Sequence, residues 1–503
     1  MRLKLAACLI ALAALPAGVS AADAPLSKDD VAWLNRVTFG VDSATIAAYR
    51  AEGRERFLDR QLHPRADGLP SSVKAQVAAF DAMKTPIEQT VPDVTAQYRD
   101  LQGKDADVAL QGRKDIAGKG AEYAEQAQAA ILLQAVYDEN QVREQLVWFW
   151  LNHFSINARE ARIRWVVADY AEHTIRPRAL GKFRDLVIAT LKSPAMLQYL
   201  NNAQNARDKI NENYARELME LHTLGVNSGY TQADVQNLAK ILTGVGVKLD
   251  DKPRNFAPDM RQYYVNEGVF EFNPRRHDFS DKVLLGKTIK GSGFDEVEKA
   301  VDLIVSQPAC ATFVSTKMAK YFVSDDPPAS LVQAMAKTFR HTDGDIAAVM
   351  KTMLTSREFA ASLGKRYKDP TQFLVSSMRL AYDGKPVENP RPLVNWINQL
   401  GQAPFGRTTP DGWPTADSEW SGSGQVAKRF EIARLIGSGA NRLFSPDDGS
   451  PAVKGDAPTL TNAVYQATLE PYLGPKTRNA LAQAQSPQEW NTFLLSSPEF
   501  NYH

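Results

Sequence analysis

The stretch EQLVWFWLNHF, residues 144–154, decides how the centre of the fold is built. On a helix at about 100° per residue, its apolar side chains point in nearly every direction. A helix that is apolar on all sides belongs inside a protein, so this stretch predicts a buried helix. Asn152 and His153 stand at its end, where we expect them to be at least partly buried.

His153 is the first candidate for chemistry. A buried imidazole needs a hydrogen-bond partner or a metal ion, because an unpaired polar group is costly away from water. His153 is therefore either a core histidine with satisfied hydrogen bonds or part of a functional site. The sequence leaves both interpretations open.

A second polar set lies in the segment NENYARELMELHTLG, residues 211–225, where Gly225 is typical of a helix stop. On a helical wheel, Asn213, Glu217 and Glu220 form a polar line along the border of the apolar face. The two carboxylates are three residues apart and are therefore neighbours on the helix surface. If partly desolvated, they repel each other unless a cation or a shared proton lies between them.

The same segment also has a purely structural interpretation. Arg216 precedes Glu220 by four residues, a spacing at which the two side chains can form an ion pair on a helix. In this interpretation His222 caps the edge of the apolar core. His222 lies about 140° from Glu217 around the helix, so one metal ion cannot take both side chains from this helix. A divalent metal would need ligands from elsewhere in the chain, such as His153 or His277.

A third polar cluster is the loop RRHDFSDK, residues 275–282. His277 beside Asp278 is a pair in which a carboxylate can orient an imidazole for acid–base chemistry, and Lys282 follows in the same loop. The composition is also ordinary for a loop. Both interpretations stay open.

Helical periodicity dominates the rest of the chain and predicts a mostly α fold. Thr231 with Asp234 has the spacing of a capping box, and Asp345 is typical of a helix N-cap. Strand signals are sparse. The best runs from Val265 to Phe272 and continues at Val283–Leu285, which predicts a small β-hairpin.

The chain length predicts two packed helical lobes, because single cores stop growing at about 250–300 residues. We expect an N-terminal lobe at residues 22–245, carrying the His153 and Glu217 segments, and a C-terminal lobe at residues 246–503. Residues 401–424, within the second lobe, are rich in Gly, Pro and Thr. They predict a loop of the kind that covers a pocket.

Residues 1–21 have the layout of a cleaved secretory signal peptide. Arg2 and Lys4 are followed by an apolar run from Leu5 to Leu15, and Val19-Ser20-Ala21 suits signal peptidase. This run is too short to span a bilayer, and no later stretch approaches the ~20 apolar residues of a membrane span. We therefore expect a periplasmic or secreted protein with no transmembrane segment in the mature chain.

The composition excludes several classes of protein. The 59 Lys and Arg residues balance 58 Asp and Glu residues, which argues against a nucleic-acid partner. Cys8 lies in the signal segment, so Cys310 has no internal partner for a disulfide. The absence of Gly-x-Ser-x-Gly weakens an α/β-hydrolase interpretation, and the absence of Cys-x-x-Cys-His excludes covalent haem of the c type.

Several blocks of residues follow one another in the order typical of a single protein family. They are Thr38-Phe39-Gly40, Trp150-x-Asn152-His153-Phe154, Asn213 to Gly244, His277-Asp278 with Lys282, Lys317 to Phe322, and Gly412-Trp413-Pro414. Together they extend over nearly the whole mature chain, which resembles the Domain of Unknown Function 1800 family.

The resemblance implies an exported, largely helical bacterial protein. Members are often encoded beside a second exported family, the domain of unknown function 1501 family, which is the partner that the resemblance suggests. It implies no established reaction or cofactor. Leu151 departs from the family pattern, since members often carry another His there, and this weakens the case for a metal at that point.

Two hypotheses for the function follow from these features. The first is an exported hydrolase with a His/Glu site and an optional divalent metal, in which a Glu or a His is the general base on water. The second is a non-catalytic binding or assembly protein that works with a co-exported partner, in which the same residues form a buried network. The candidate catalytic residues are His153, Glu217, Glu220 and His222, and the candidate binding residues are Asn152, Asn213, Arg216, His277, Asp278 and Lys282.

Overall fold

A mostly helical architecture follows from the periodicity of the sequence. The computed structural model describes residues 24–64, 67–160, 162–446 and 457–503, and the predicted signal segment at residues 1–21 lies outside this part. The described residues hold 26 α-helices and two small antiparallel sheets, and the helical content is 62%. The predicted mostly α fold is confirmed.

The helices are short on average, and two further segments are π-helical. In chain order the α-helices are α1 (Lys28–Val37), α2 (Ser43–Leu62), α3 (Ser71–Ala78), α4 (Asp81–Lys84), α5 (Ile87–Asp100), α6 (Ala106–Tyr137), α7 (Gln141–His153), α8 (Val167–Asp169), α9 (Phe183–Lys192), α10 (Pro194–Tyr199), α11 (Asn213–Glu217), α12 (Gln232–Ile241), α13 (Pro258–Arg261), α14 (Phe294–Val305), α15 (Pro308–Phe322), α16 (Ala329–His341), α17 (Ile346–Leu354), α18 (Arg357–Ser362), α19 (Pro370–Tyr382), α20 (Arg391–Gln399), α21 (Asp417–Trp420), α22 (Ser423–Ser438), α23 (Ala463–Thr468), α24 (Pro475–Ala482), α25 (Pro487–Leu495) and α26 (Pro498–Asn501). The segments Tyr170–Ile175 and Leu218–Thr223 are π-helical.

Helix α7 is the buried helix that the tryptophan-rich stretch predicts. Trp150 is completely buried, and its indole N–H donates a hydrogen bond of 2.9 Å to the Ala179 carbonyl. Phe149 packs on Tyr321 and Phe322 of α15. These contacts surround α7 and fix the position of its last residues, Asn152 and His153.

Two helix starts confirm the predicted caps. The Thr231 side chain accepts a hydrogen bond from the Asp234 N–H, and the Asp234 carboxylate accepts one from the Thr231 N–H, which completes the capping box of α12. Asp345 accepts a hydrogen bond of 3.0 Å from the Ala348 N–H at the start of α17. Each cap satisfies a backbone donor that the first turn leaves unpaired.

The predicted hairpin is part of a larger β element. Strands β2 (Val265–Glu267) and β3 (Phe270–Phe272) form the antiparallel hairpin, with Val265 opposite Phe272, and β1 (Val245–Val247) pairs with the other edge of β3. The Val283–Leu284 signal belongs to a separate pair, because β4 (Lys282–Leu284) pairs with β5 (Lys287–Ile289).

The apolar core is continuous through the described residues. Its main cluster runs from Leu26 to Phe500, and a smaller cluster gathers Val94, Ile116, Tyr123 and Trp165. The main cluster contains residues from both sides of the boundary expected after residue 245, and the division into two lobes stays a prediction. Within the described part of the chain, no helix has the length and apolar character needed to cross a membrane.

A buried ionic network fixes α7 against the neighbouring π-helical segment. Glu144, only 3% exposed, accepts hydrogen bonds from Arg143 and Arg176. Arg176 also donates to Glu172 at 3.1 Å and to Gln134. Burial raises the pKa of Glu144, and the two arginines oppose that rise. The ion pairs with Arg143 and Arg176 therefore offset the cost of burying the Glu144 carboxylate.

We predict that Arg176→Met lowers the free energy of unfolding by about 3–5 kcal/mol, because it leaves the Glu144 carboxylate buried without its main partner. The control is Arg184→Met, which removes an exposed pair with Asp302 and should cost about 1 kcal/mol or less. Urea unfolding followed by circular dichroism measures both. Equal losses in the two variants would contradict the role given to Arg176.

Candidate functional site

The end of α7 meets the end of the segment that carries the predicted carboxylates. His153 is the last residue of α7, and its Nε2–H donates a hydrogen bond of 2.9 Å to the backbone carbonyl of His222. The two imidazole rings lie 6.0 Å apart between centroids. His153 and His222, predicted from separate motifs, are thus brought together in the core.

The π-helical geometry at Leu218–Thr223 places the His222 carbonyl for this contact. The Leu224 and Gly225 N–H groups both donate to the Met219 carbonyl, at 2.8 and 3.1 Å, which closes the helix. Gly225 has a φ of +83°, and a Cβ there would lie 2.6 Å from the Phe313 ring. Carbonyls in a last helical turn lack partners within the helix, and the His153 imidazole supplies one.

This contact fixes the tautomer of His153. A carbonyl oxygen only accepts, so Nε2 carries the proton and Nδ1 keeps its lone pair. No group among the described residues forms a hydrogen bond with Nδ1. Burial lowers the pKa of His153 well below its usual value, and the nearby Lys317 and His222 act in the same direction. His153 is therefore a neutral imidazole with an unused acceptor.

His222 is neutral for the same reason. Burial, assisted by the charge of Lys317, lowers its pKa to about 3. Its ring packs 5.0 Å from the Phe154 ring, and neither ring nitrogen has a hydrogen-bond partner among the described residues. The backbone of His222, rather than its side chain, makes the contact with His153.

A cavity of about 220 Å³ opens beside His153. It is lined by Phe149, Asn152, His153, Lys317, Lys320, Arg407, Asp411, Gly412, Trp413, Pro414 and Thr415. The residues come from three places along the chain: α7, α15 and the predicted loop at 401–424. We call residues 403–415 of this loop the cover loop.

Asn152 holds the cover loop in place. Its side-chain amide donates 2.9 Å to the Trp413 carbonyl, and its Oδ1 accepts 2.6 Å from the Trp413 N–H. Gly412, with a φ of +79°, allows this approach, because a Cβ there would lie 2.3 Å from the Asn152 carbonyl oxygen. Asn152 was predicted as a binding residue, and its contact is with the chain itself.

Lys317 is a charged cavity residue that the sequence analysis did not predict as a site residue. It is half-buried on α15, its ammonium lies 5.5 Å from the Phe313 ring centroid, and it has no carboxylate partner within ion-pair distance among the described residues. Burial lowers the pKa of Lys317 to about 8, and the charge of Asp411 opposes that shift. A lysine set among Val314, Met318 and other core residues of α15 was the available signal.

Asp411 and Arg407 form the outer wall of the cavity. Arg407 donates to both carboxylate oxygens of Asp411, at 3.2 and 3.0 Å, and Thr409 donates to the same carboxylate. Burial acts to raise the pKa of Asp411, but these hydrogen bonds and the Arg407 charge outweigh it and lower the pKa. Asp411 therefore stays ionised, with its charge matched by Arg407.

The predicted carboxylates lie next to the cavity but do not line it. Glu217 and Glu220 are half-buried, and burial together with the charge of Glu220 raises the pKa of Glu217. Asp411 raises it further, so Glu217 and the cover loop interact electrostatically. The expected pair between Arg216 and Glu220 is wrong, since Arg216 pairs with Glu212 at 3.0 Å one turn earlier.

Asn213, the last predicted binding residue of this segment, supports the chain rather than the cavity. Its side-chain amide donates a hydrogen bond of 3.2 Å to the Leu200 carbonyl. That contact ties the start of α11 to the end of α10.

The third predicted cluster forms a sealed network elsewhere in the fold. His277 and Lys282 are completely buried and contact the two carboxylate oxygens of Glu296, at 2.9 and 2.7 Å. Hydrogen bonds from His277 and Lys282 lower the pKa of Glu296, against the effect of burial. Asp278 is half-buried and accepts 2.8 Å from the Ser280 N–H. Glu296, on α14, was not predicted.

Metal binding receives no support from the residues that the structure describes. They contain no group of three or more His, Cys, Asp and Glu side chains arranged to hold a metal ion. His153 and His222 supply imidazole nitrogens, while the nearest acid in the cavity, Asp411, is engaged with Arg407.

The elements that form the cavity lie within a region that matches a known protein family. The family model described as "Protein of unknown function (DUF1800)" matches residues 32–502, which includes α7, α15 and the cover loop. The chain belongs to the DUF1800 family. No curated protein and no solved structure matches this DUF1800 member significantly.

We predict that Gly412→Ala is more destabilising than Gly401→Ala. Both glycines have a positive φ, +79° and +77°, but only Gly412 faces a neighbour that a Cβ would strike. Gly401→Ala should cost about 1–2 kcal/mol for the left-handed backbone alone. Gly412→Ala should cost more and shift the Trp413 indole resonance, because the Asn152 contact is lost. Equal losses of stability in the two variants, with an unchanged Trp413 signal, would contradict the role of Gly412 in the contact between Asn152 and Trp413.

Proposed function

We propose that the chain is an exported hydrolase whose active site is the cavity beside His153, with Lys317 as the general base. The single observation that carries this proposal is the position of Lys317. It lies in a cavity beside a neutral imidazole with an unused lone pair, and its pKa is about 8. Perturbed groups of this kind concentrate at functional sites.

The proposed reaction uses Lys317 on one water molecule in the cavity, beside the buried ring of His153. Neutral Lys317 Nζ takes a proton from the water, and the hydroxyl oxygen forms a bond to the electrophilic atom of the substrate. The leaving group then takes that proton from the Lys317 ammonium as its bond to the substrate breaks. Lys317 ends as it began.

The electrostatic surroundings support a lysine base. His153 and His222 are neutral at pH 7, and Asp411 is balanced by Arg407. Burial therefore lowers the pKa of Lys317, and the charge of Asp411 opposes this shift. A base with a pKa near the working pH is the most effective one.

The other predicted residues take supporting roles in this proposal. His222 holds the His153 ring through its carbonyl, and Asn152 holds the cover loop through Trp413. Glu217 and Glu220 receive no proton-transfer role, because they do not line the cavity. The optional metal is not needed for the proposed steps.

The proposal predicts a kcat/KM that rises with pH through about 8, the pKa of Lys317 in the free protein, since only the neutral form of Lys317 removes a proton from water. Lys317→Met should lower kcat by about 10²–10⁴-fold, the usual contribution of a general base. The control is Lys337→Met, an exposed lysine on α16. A broad panel of hydrolase substrates, run on all three proteins, makes the measurement. Equal rates for wild type and Lys317→Met on every substrate that turns over would end the proposal.

A second candidate function is assembly with a co-exported partner, and one surface feature favours it. Val426 and Phe430 lie one turn apart on α22, and they are 50% and 43% exposed. Neighbouring exposed apolar side chains are typical of contact surfaces. The domain of unknown function 1501 family supplies the partner to be tested.

For this candidate, the double variant Val426→Asp/Phe430→Asp should no longer co-purify with the co-expressed partner. Val108→Asp, which changes an equally exposed valine on α6, is the matched control and should co-purify normally. Unchanged co-purification of the double variant would count against this surface.

A further inference from the structure

The side chains that line the cavity carry an excess of positive charge. Lys317, Lys320 and Arg407 face a single acid, Asp411. Arg407 and Asp411 neutralise each other through their two hydrogen bonds. The two lysines therefore remain without a matching carboxylate among the lining residues.

The two lysines sit on one face of the same helix. They are three residues apart on α15, so their side chains emerge as neighbours. Lys317 is half-buried, whereas Lys320 is exposed at the mouth. Like charges at this spacing repel each other. An anion bound beside them would relieve that repulsion and offset the cost of burying the Lys317 charge.

The other lining residues suit the apolar part of a small organic molecule. Phe149 and Trp413 supply aromatic walls, and the Arg407 guanidinium lies 5.7 Å from the Trp413 ring centroid. The volume of about 220 Å³ is below the ~300–1,000 Å³ typical of sites for drug-sized ligands. A space of this size suits a small organic group.

We infer that the substrate is a small molecule with an anionic group, a carboxylate or a phosphate, which Lys320 and Arg407 bind at the mouth of the cavity. This inference rests on the proposed function, since the anion is taken to be part of the substrate. Arg407 uses Nε and Nη2 for Asp411 and keeps Nη1 for the ligand. The body of the substrate then lies against Trp413, with its reacting atom toward Lys317.

A bound anion should also change how the site responds to pH. Of the residues that the structure describes, Asp411 is the one whose charge acts on the pKa of Lys317 in the free protein, and the neighbouring His153 and His222 are neutral. Lys320, the other lysine of the lining, is positive. A second negative charge at the mouth stabilises the ammonium form. The pH at which Lys317 loses its proton should therefore move upward when inorganic phosphate is bound.

The test is an NMR titration of the mature protein with inorganic phosphate and, separately, with acetate. The Trp413 indole N–H signal reports binding, and the experiment requires no turnover. We expect at least one of the two anions to shift this signal in wild type. Lys320→Met should weaken binding by about tenfold or more, as expected for loss of a charged hydrogen bond. Lys337→Met should bind as wild type does.

The outcomes separate this inference from the proposed function. Absence of binding in wild type, or equal binding in Lys320→Met, overturns the anionic substrate and leaves the Lys317 reaction to its own test. Binding that depends on Lys320, together with activity that does not depend on Lys317, supports the anion site and overturns the reaction. Phosphate binding without acetate binding assigns the phosphate class, and the reverse result assigns the carboxylate class.

Discussion

The hydrogen bond from His153 Nε2–H to the His222 carbonyl is the contact on which the site depends. It joins the end of the largely buried helix α7 to the end of a π-helical turn. The turn leaves a carbonyl unpaired, and the imidazole satisfies it. The bond fixes the tautomer of His153 and leaves the Nδ1 lone pair unused. Without it, neither the orientation nor the tautomer of this ring would be defined.

Electrostatics then set the character of the cavity. The two imidazoles are neutral because burial makes their charged forms costly, and Lys317 strengthens that effect. The same burial lowers the pKa of Lys317 to about 8. Asp411 would favour the ammonium more strongly if Arg407 did not engage it. The cover loop is thus part of the charge balance as well as the wall of the cavity.

Local sequence patterns predicted the elements but not all of the contacts between them. The buried helix α7 and the Thr231 cap follow from periodicity and capping chemistry, which act within a few residues. The pairing of His153 with His222 could be proposed only as a hypothesis, since it joins residues 69 positions apart. The sequence signal for Lys317 was weak, because one lysine in an apolar helix is usually a solvated side chain. Arg216 pairs with Glu212 and not with Glu220. The sequence could not distinguish these partners, because each acid lies four residues from Arg216.

The most direct test is an NMR titration of the lysine side chains, with the Lys317 signal assigned by its loss in Lys317→Met. The account predicts that Lys317 titrates with a pKa of about 8, well below the ~10.4 of an ordinary lysine. A midpoint near the ordinary value would mean that Lys317 is solvated rather than held in the cavity. That result would contradict the assignment of this lysine as the base.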